Sequence, residues 1–86
     1  MKVLIIGSGF MGTSLALKLK QKNSEASVSC IEQNSAAKAE VDQSAIYDAT
    51  YSEFNEVIDS YDAVIICTNI AEVKNNVEEC QEKFTS

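Results

Sequence analysis

The 86 residues carry 13 acidic and 7 basic side chains, a net charge of −6, 45% apolar residues and no histidine. A chain this short buries roughly 63% of the surface its unfolded form exposes, which supports one thin-cored globular domain and excludes a two-domain enzyme. The acidic balance leaves no basic face for nucleic acid or anionic lipid, so neither partner is expected.

No apolar run approaches the ~18 residues of a membrane span, and Gly7 cuts the opening aliphatic run short of a signal sequence. Cys30, Cys67 and Cys80 are odd in number and form no Cys-x-x-Cys pair, which disfavours a disulfide scaffold or a zinc site. Each lies in an apolar segment and reads as a small core residue. A cytoplasmic, reducing location is expected.

Residues 2–6 form a continuous aliphatic run, as suits a strand buried on both faces of a parallel sheet. Residues 10–22 turn helical: Met11, Leu15 and Leu19 recur at four-residue spacing, with Lys18, Lys20 and Lys22 towards the negative end of the dipole. A second strand covers 28–31 and stops at Glu32. Asn34 caps a weak helix over 35–42. Ile46 and Tyr47 suggest a short edge strand, and Phe54, Val57 and Ile58 one stripe of a helix over 53–59. Residues 63–67 are again a buried strand. The last helix has the period Val73, Val77, Cys80, Phe84, with Asn69 and Glu72 resembling a capping box. Alternating elements with buried strands predict an α/β fold, an open parallel sheet with right-handed crossovers.

Gly7-Ser8-Gly9-Phe10-Met11-Gly12 is a G-x-G-x-x-G between a buried strand and an amphipathic helix. Gly7 serves the tight turn, Gly9 the close approach of a pyrophosphate, and Gly12 the packing of helix on strand. The helix N-terminus offers free N–H groups to phosphate, a mechanism that works on an acidic protein. Ser8, Phe10 and Met11 fill the loop, the latter two as readily packing residues as cofactor contacts. Glu32 lies twenty residues beyond Gly12, at the end of the second strand. A carboxylate there accepts from the adenosine ribose hydroxyls and repels a 2′-phosphate. Gln33, Asn34 and Ser35 bring no cation to hold that phosphate, so NAD is favoured over NADP. Cys67, Thr68 and Asn69 end the next parallel strand and border the same dinucleotide.

These residues resemble the N-terminal, NAD-binding half of the prephenate dehydrogenase family. Residues 5–16 look like that family's opening, where the glycine motif is followed by a small residue and Ser-Leu-Ala. Glu32-x-Asn34, Ala39, Ala45-Ile46-Tyr47-Asp48 and Thr50 resemble its acid-x-Asn to Ile-x-Asp stretch, and residues 61–68 its Asp-x-Val-Ile strand. Asn69 stands where that family usually has proline, and Ser44-Ala45 where it has glycine. The resemblance implies the first mononucleotide-binding half of a Rossmann domain. The catalytic histidine, the substrate-binding arginines and the helical dimerisation domain would then lie beyond Ser86, leaving this part inactive alone.

In the usual strand order, strand 64–67 pairs with the first strand and forms an open apolar edge, to be covered by another copy or by further chain. The same layout puts Cys30 and Cys67 about 9.6 Å apart, too far for a disulfide. A second reading is a regulatory nucleotide-sensing module of the potassium-transport type, which shares an Asp-Ala-Thr such as Asp48-Ala49-Thr50. A reductase of another β-hydroxyacid or imine with the same opening is a third.

Overall fold

Lys2–Ile6 (β1) becomes the centre of the molecule because four aliphatic side chains in a row leave it no solvated face. Val3, Leu4, Ile5 and Ile6 are each 2% exposed or less, and each contributes about 1.5–3 kcal/mol by burial. The computed structural model describes residues 1–68 and 70–84, and the side chains among them except those of residues 10, 70, 71 and 84. It sets β1 between two parallel neighbours, Ser27–Ile31 (β2) and Ala63–Ile66 (β4), with Ala49–Tyr51 (β3) outside β2. The strand order β3-β2-β1-β4 is that of a mononucleotide-binding half of an open, doubly wound sheet.

The pleat sorts the core into two layers. Val3, Ile5, Val28 and Cys30 face Phe10–Lys22 (α1) and Ser35–Ser44 (α2), and meet Ala16, Val41 and Tyr47. Leu4, Ile6 and Ile31 face the other way, onto Phe54, Val57 and, from Ile70–Phe84 (α3), Cys80. Register follows from the pleat, with Val3 opposite both Val28 and Ala63, and Ile6 opposite both Ile31 and Ile66. A one-residue slip would exchange the two layers.

Two expected elements differ. Ile46 and Tyr47 form no strand; β3 begins at Ala49. Asp48 sets that start, since its N–H donates to the Val28 carbonyl and its carboxylate accepts from the Val28 N–H, both at 2.8 Å. Tyr47 is thereby turned inward to join the first core layer. The expected helix over 53–59 is a single 3-10 turn, Phe54–Glu56, and Ile58 is 90% exposed. Glu53 and Glu56 close a reciprocal capping box around it, and extended Val57 ends it before a second turn can form. So short a segment does not repay helix nucleation.

Smaller shifts concern ends and faces. α2 runs on to Ser44, and at its start Asn34 caps it as expected by accepting from the Ala37 N–H at 3.0 Å. β4 closes at Ile66, one residue early. Among the described side chains of α3 the buried one is Asn76, 3% exposed, while Val77 faces solvent. Among the described residues β4 is an outer strand beside β1, the three cysteines are free, and no helix is long and apolar enough to cross a membrane.

Candidate functional site

The site lies at the carboxyl ends of β1, β2 and β4, where parallel strands deliver their following loops to one crevice. Gly7 leaves β1 at φ +91°, a conformation that suits glycine, with its N–H donating to the Ile31 carbonyl at 2.8 Å. A methyl group there would come within 2.9 Å of the Thr68 side chain and 3.1 Å of the Cys67 backbone. The turn is therefore wedged between β2 and the end of β4.

Gly12 has a different reason. A Cβ on it would strike the Gly7 carbonyl oxygen and stand 3.2 Å from Ile5 Cγ2, so only glycine lets α1 lie this close to β1. Gly9 has none of this crowding: a Cβ there meets nothing within 4 Å. Its side is open to whatever approaches the loop. Gly9 also precedes α1 with no side chain capping the helix. The first i→i−4 bond runs from the Thr13 N–H to the Gly9 carbonyl at 3.0 Å. The N–H groups of residues 10–12 thus precede the hydrogen-bonded ladder, at the positive end of a thirteen-residue helix. These are donors suited to phosphate oxygens, and they require no cation.

Glu32 closes the other side. Its Oε1 accepts from the Ser8 N–H at 2.8 Å and from the Ser8 hydroxyl at 2.7 Å, and its Oε2 accepts from the Asn34 N–H at 3.0 Å. Burial pushes this carboxyl up, but the Ser8 hydroxyl, the Ser8 N–H and the Asn34 N–H outweigh it and hold the group below its ordinary value. Glu32 is an anion at neutral pH, fixed to the glycine loop itself.

A cavity of about 260 Å³ sits over these strand ends, lined by Ile6, Gly7, Ile31, Glu32, Gln33, Asn34, Thr68 and Glu72. The expected residues Gly7, Glu32, Gln33 and Thr68 therefore come together. Ser8 is 5% exposed and turned to Glu32 rather than into the crevice. Met11 points to solvent. The Cys67 side chain packs towards the first core layer, and its N–H donates to the Ile6 carbonyl at 2.7 Å. Asn69 and the Phe10 side chain lie outside what is described. A larger hollow, about 500 Å³, opens between α1 and α2, starting at Ser8 and Gly9 of the glycine loop and running past Thr13, Leu17 and Val41.

Two lining residues carried another meaning in the sequence. Asn34 and Glu72 read as helix-capping residues, and both also line the crevice. Their position after β2 and β4 is the signal that would have found them. Burial raises the thiols of Cys30, to about 12, and of Cys67, so neither is poised as a nucleophile.

No curated protein matches this sequence. Among solved structures, prephenate dehydrogenase from A. aeolicus, in complex with hydroxyphenyl propionate and NAD+, is similar with a TM-score of 0.88 at 22% identity. The match covers 98% of this chain and 30% of that one, so the chain spans less than a third of that protein's length. At this identity the likeness shows the fold, a Rossmann-type half-domain, and bears on the resemblance to prephenate dehydrogenase at that level. Residues 2–85 match a sequence family described as NADP oxidoreductase, coenzyme F420-dependent. With nearly its whole length matched, the chain belongs to that family.

Proposed function

We propose that this chain is the adenosine- and pyrophosphate-holding half of an oxidoreductase of the prephenate or arogenate dehydrogenase type, selective for NAD over NADP. The carrying observation is the anionic Glu32 fixed beside the glycine loop at the end of β2. The nicotinamide of NAD supplies hydride acceptance; the residues of this chain bind and orient the opposite end. The N–H groups at the start of α1 take the pyrophosphate, Gly9 gives it room, and Glu32 accepts from the adenosine ribose. Gln33 and Thr68 border the same ligand.

The family's description names NADP, and Glu32 argues the other way for this member. A 2′-phosphate would meet its charge in a crevice with no lysine among its described lining residues, in a chain that has no arginine. With no histidine, the chain offers none of the usual general base, and turnover would need residues from further sequence. That sequence, or a second copy, would also cover the β4 edge.

The nucleotide-sensing reading has less support. Asp48, of the shared Asp-Ala-Thr, holds Val28 and pairs with Lys20 at 3.1 Å, so it works at the sheet margin rather than in the crevice. Calorimetric titration with NAD, NADP and AMP, on this chain and on Glu32→Ala, tests the proposal. Preferential NAD binding that weakens in the variant is expected. Equal NAD and NADP affinity in the unaltered chain would overturn the selectivity.

A further inference from the structure

Ser8 is the loop residue whose surroundings the glycine motif does not explain. The motif asks nothing of the residue between its first two glycines. Here that residue is a nearly buried serine held from both sides. Its carbonyl accepts from the Thr13 hydroxyl at 2.7 Å, while its N–H and hydroxyl both donate to Glu32 Oε1.

The acceptor capacity of Glu32 follows from these bonds. A carboxylate offers about four lone-pair sites, two on each oxygen. Ser8 fills both on Oε1 and the Asn34 N–H takes one on Oε2, which leaves one. A serine hydroxyl has a single proton to give, and this one is committed to Glu32.

We propose that Ser8 is the positioning residue for dinucleotide selectivity: it ties down Oε1 so that Glu32 presents only Oε2 to a ribose hydroxyl and cannot swing aside for a 2′-phosphate. This rests on the NAD-binding reading of the crevice and gives that reading a device of its own. Without the hydroxyl, Glu32 keeps one backbone donor on Oε1 and gains freedom to rotate. An anion free to turn away repels a 2′-phosphate less and orders a ribose hydroxyl less well.

The test compares the unaltered chain with Ser8→Ala, Ser8→Gly, Ser8→Thr and Glu32→Ala, in two measurements. Carbon-detected NMR follows the titration of the Glu32 carboxyl without ligand, and calorimetry gives NAD and NADP affinities. Deleting the hydroxyl should move the Glu32 titration upward and cut the NAD-to-NADP affinity ratio about tenfold, the scale of one charge-assisted hydrogen bond. Ser8→Thr should restore both. Ser8→Gly adds no atoms and stands in if Ser8→Ala does not fold.

An unchanged titration and ratio in the hydroxyl deletions, with the ratio collapsed in Glu32→Ala, overturns the role of Ser8 and leaves the site reading standing. A ratio unmoved even by Glu32→Ala overturns the site reading, and the role of Ser8 falls with it. A shifted titration with an unchanged ratio shows a structural link only, which also overturns the proposal.

Discussion

Replacing Ala45 with glycine should make this protein more stable, although glycine normally weakens the interior of a helix. Ala45 follows α2 at φ 56° and ψ 24°, in the left-handed region, where its Cβ crowds the following carbonyl. That conformation costs an L-residue about 1–2 kcal/mol. Glycine avoids it but loses about 0.5–1 kcal/mol of additional backbone entropy on folding. Ala45 is exposed, so its methyl group contributes no core packing that would be lost. The difference favours glycine by about 0.5–1 kcal/mol. For a domain of this size that raises the melting temperature by about 2–8 °C. Circular-dichroism melts of Ala45→Gly should be run beside Ala39→Gly, an exposed position within α2 where φ is helical. There the same substitution should cost about 1 kcal/mol. Opposite signs at the two sites are the expected result. If Ala45→Gly melts at or below the unaltered chain, the left-handed turn stores no strain and the reasoning fails.

The three glycines of the loop should separate stability from binding. Gly12→Ala should lower urea stability by about 1–3 kcal/mol through overpacking against Gly7 and Ile5, and an unmoved urea midpoint would refute the close-packing argument. Gly9→Ala should leave that midpoint unchanged yet weaken NAD, because its Cβ meets only open space over the loop; unaltered NAD affinity would count against pyrophosphate there. Glu32 is depressed below its ordinary 4.5 in the folded state, so its contribution to stability is present above about that pH and is lost as pH falls through the folded value. Glu32→Gln should therefore flatten the acid limb of a stability–pH curve, and an unchanged limb would show that its bonds to Ser8 and Asn34 are not felt in folding.

The strands and the glycine loop were legible because each is fixed locally. An aliphatic run ending in glycine admits few other readings, and residues 2–6 form the buried central strand. Residues 10–22 form the expected helix, although Met11 of its stripe faces solvent. The strand expected over 63–67 forms over 63–66 as a partly buried outer strand. What escaped the pattern depends on contacts across the fold. Tyr47 resembles a strand residue, but Asp48 fastens to Val28 and turns it into the core. Ile58 fits a helical stripe by spacing, yet the Glu53–Glu56 box ends the turn before that stripe exists. In α3 the apolar period Val73, Val77, Cys80, Phe84 holds at Cys80, which packs on the second core layer, but Val77 faces solvent. Among the described side chains the buried one is Asn76, whose amide donates to the Thr68 hydroxyl oxygen at 2.8 Å. A polar residue is buried where a partner waits, and that partner comes from the loop after β4. In the candidate site, spacing alone places Glu32 at the end of the second strand, where it lines the crevice. Its lock to Ser8 was not legible, because nothing in a one-dimensional motif tells which way a serine turns.

Charge gives the last test of how this site would hold a phosphate. Most nucleotide sites recruit lysine or arginine, and salt then weakens binding by screening the attraction. This chain carries a net −6, and its crevice is lined by the acids Glu32 and Glu72 with no lysine among the described lining residues. Lys2, Lys20 and Lys38 are paired elsewhere, with Asp59, Asp48 and Asp42. Attraction must then come from N–H dipoles at contact range, and the long-range field opposes the ligand. Salt screens the long-range part first, since the Debye length falls from about 10 Å at 0.1 M to about 3 Å at 1 M. NAD affinity should consequently hold or rise with ionic strength. NADP, with the larger charge nearest Glu32, should gain more, so the preference for NAD narrows as salt increases. A steep loss of NAD affinity with salt would mean that a cation, supplied by another copy or by further chain, completes the phosphate site.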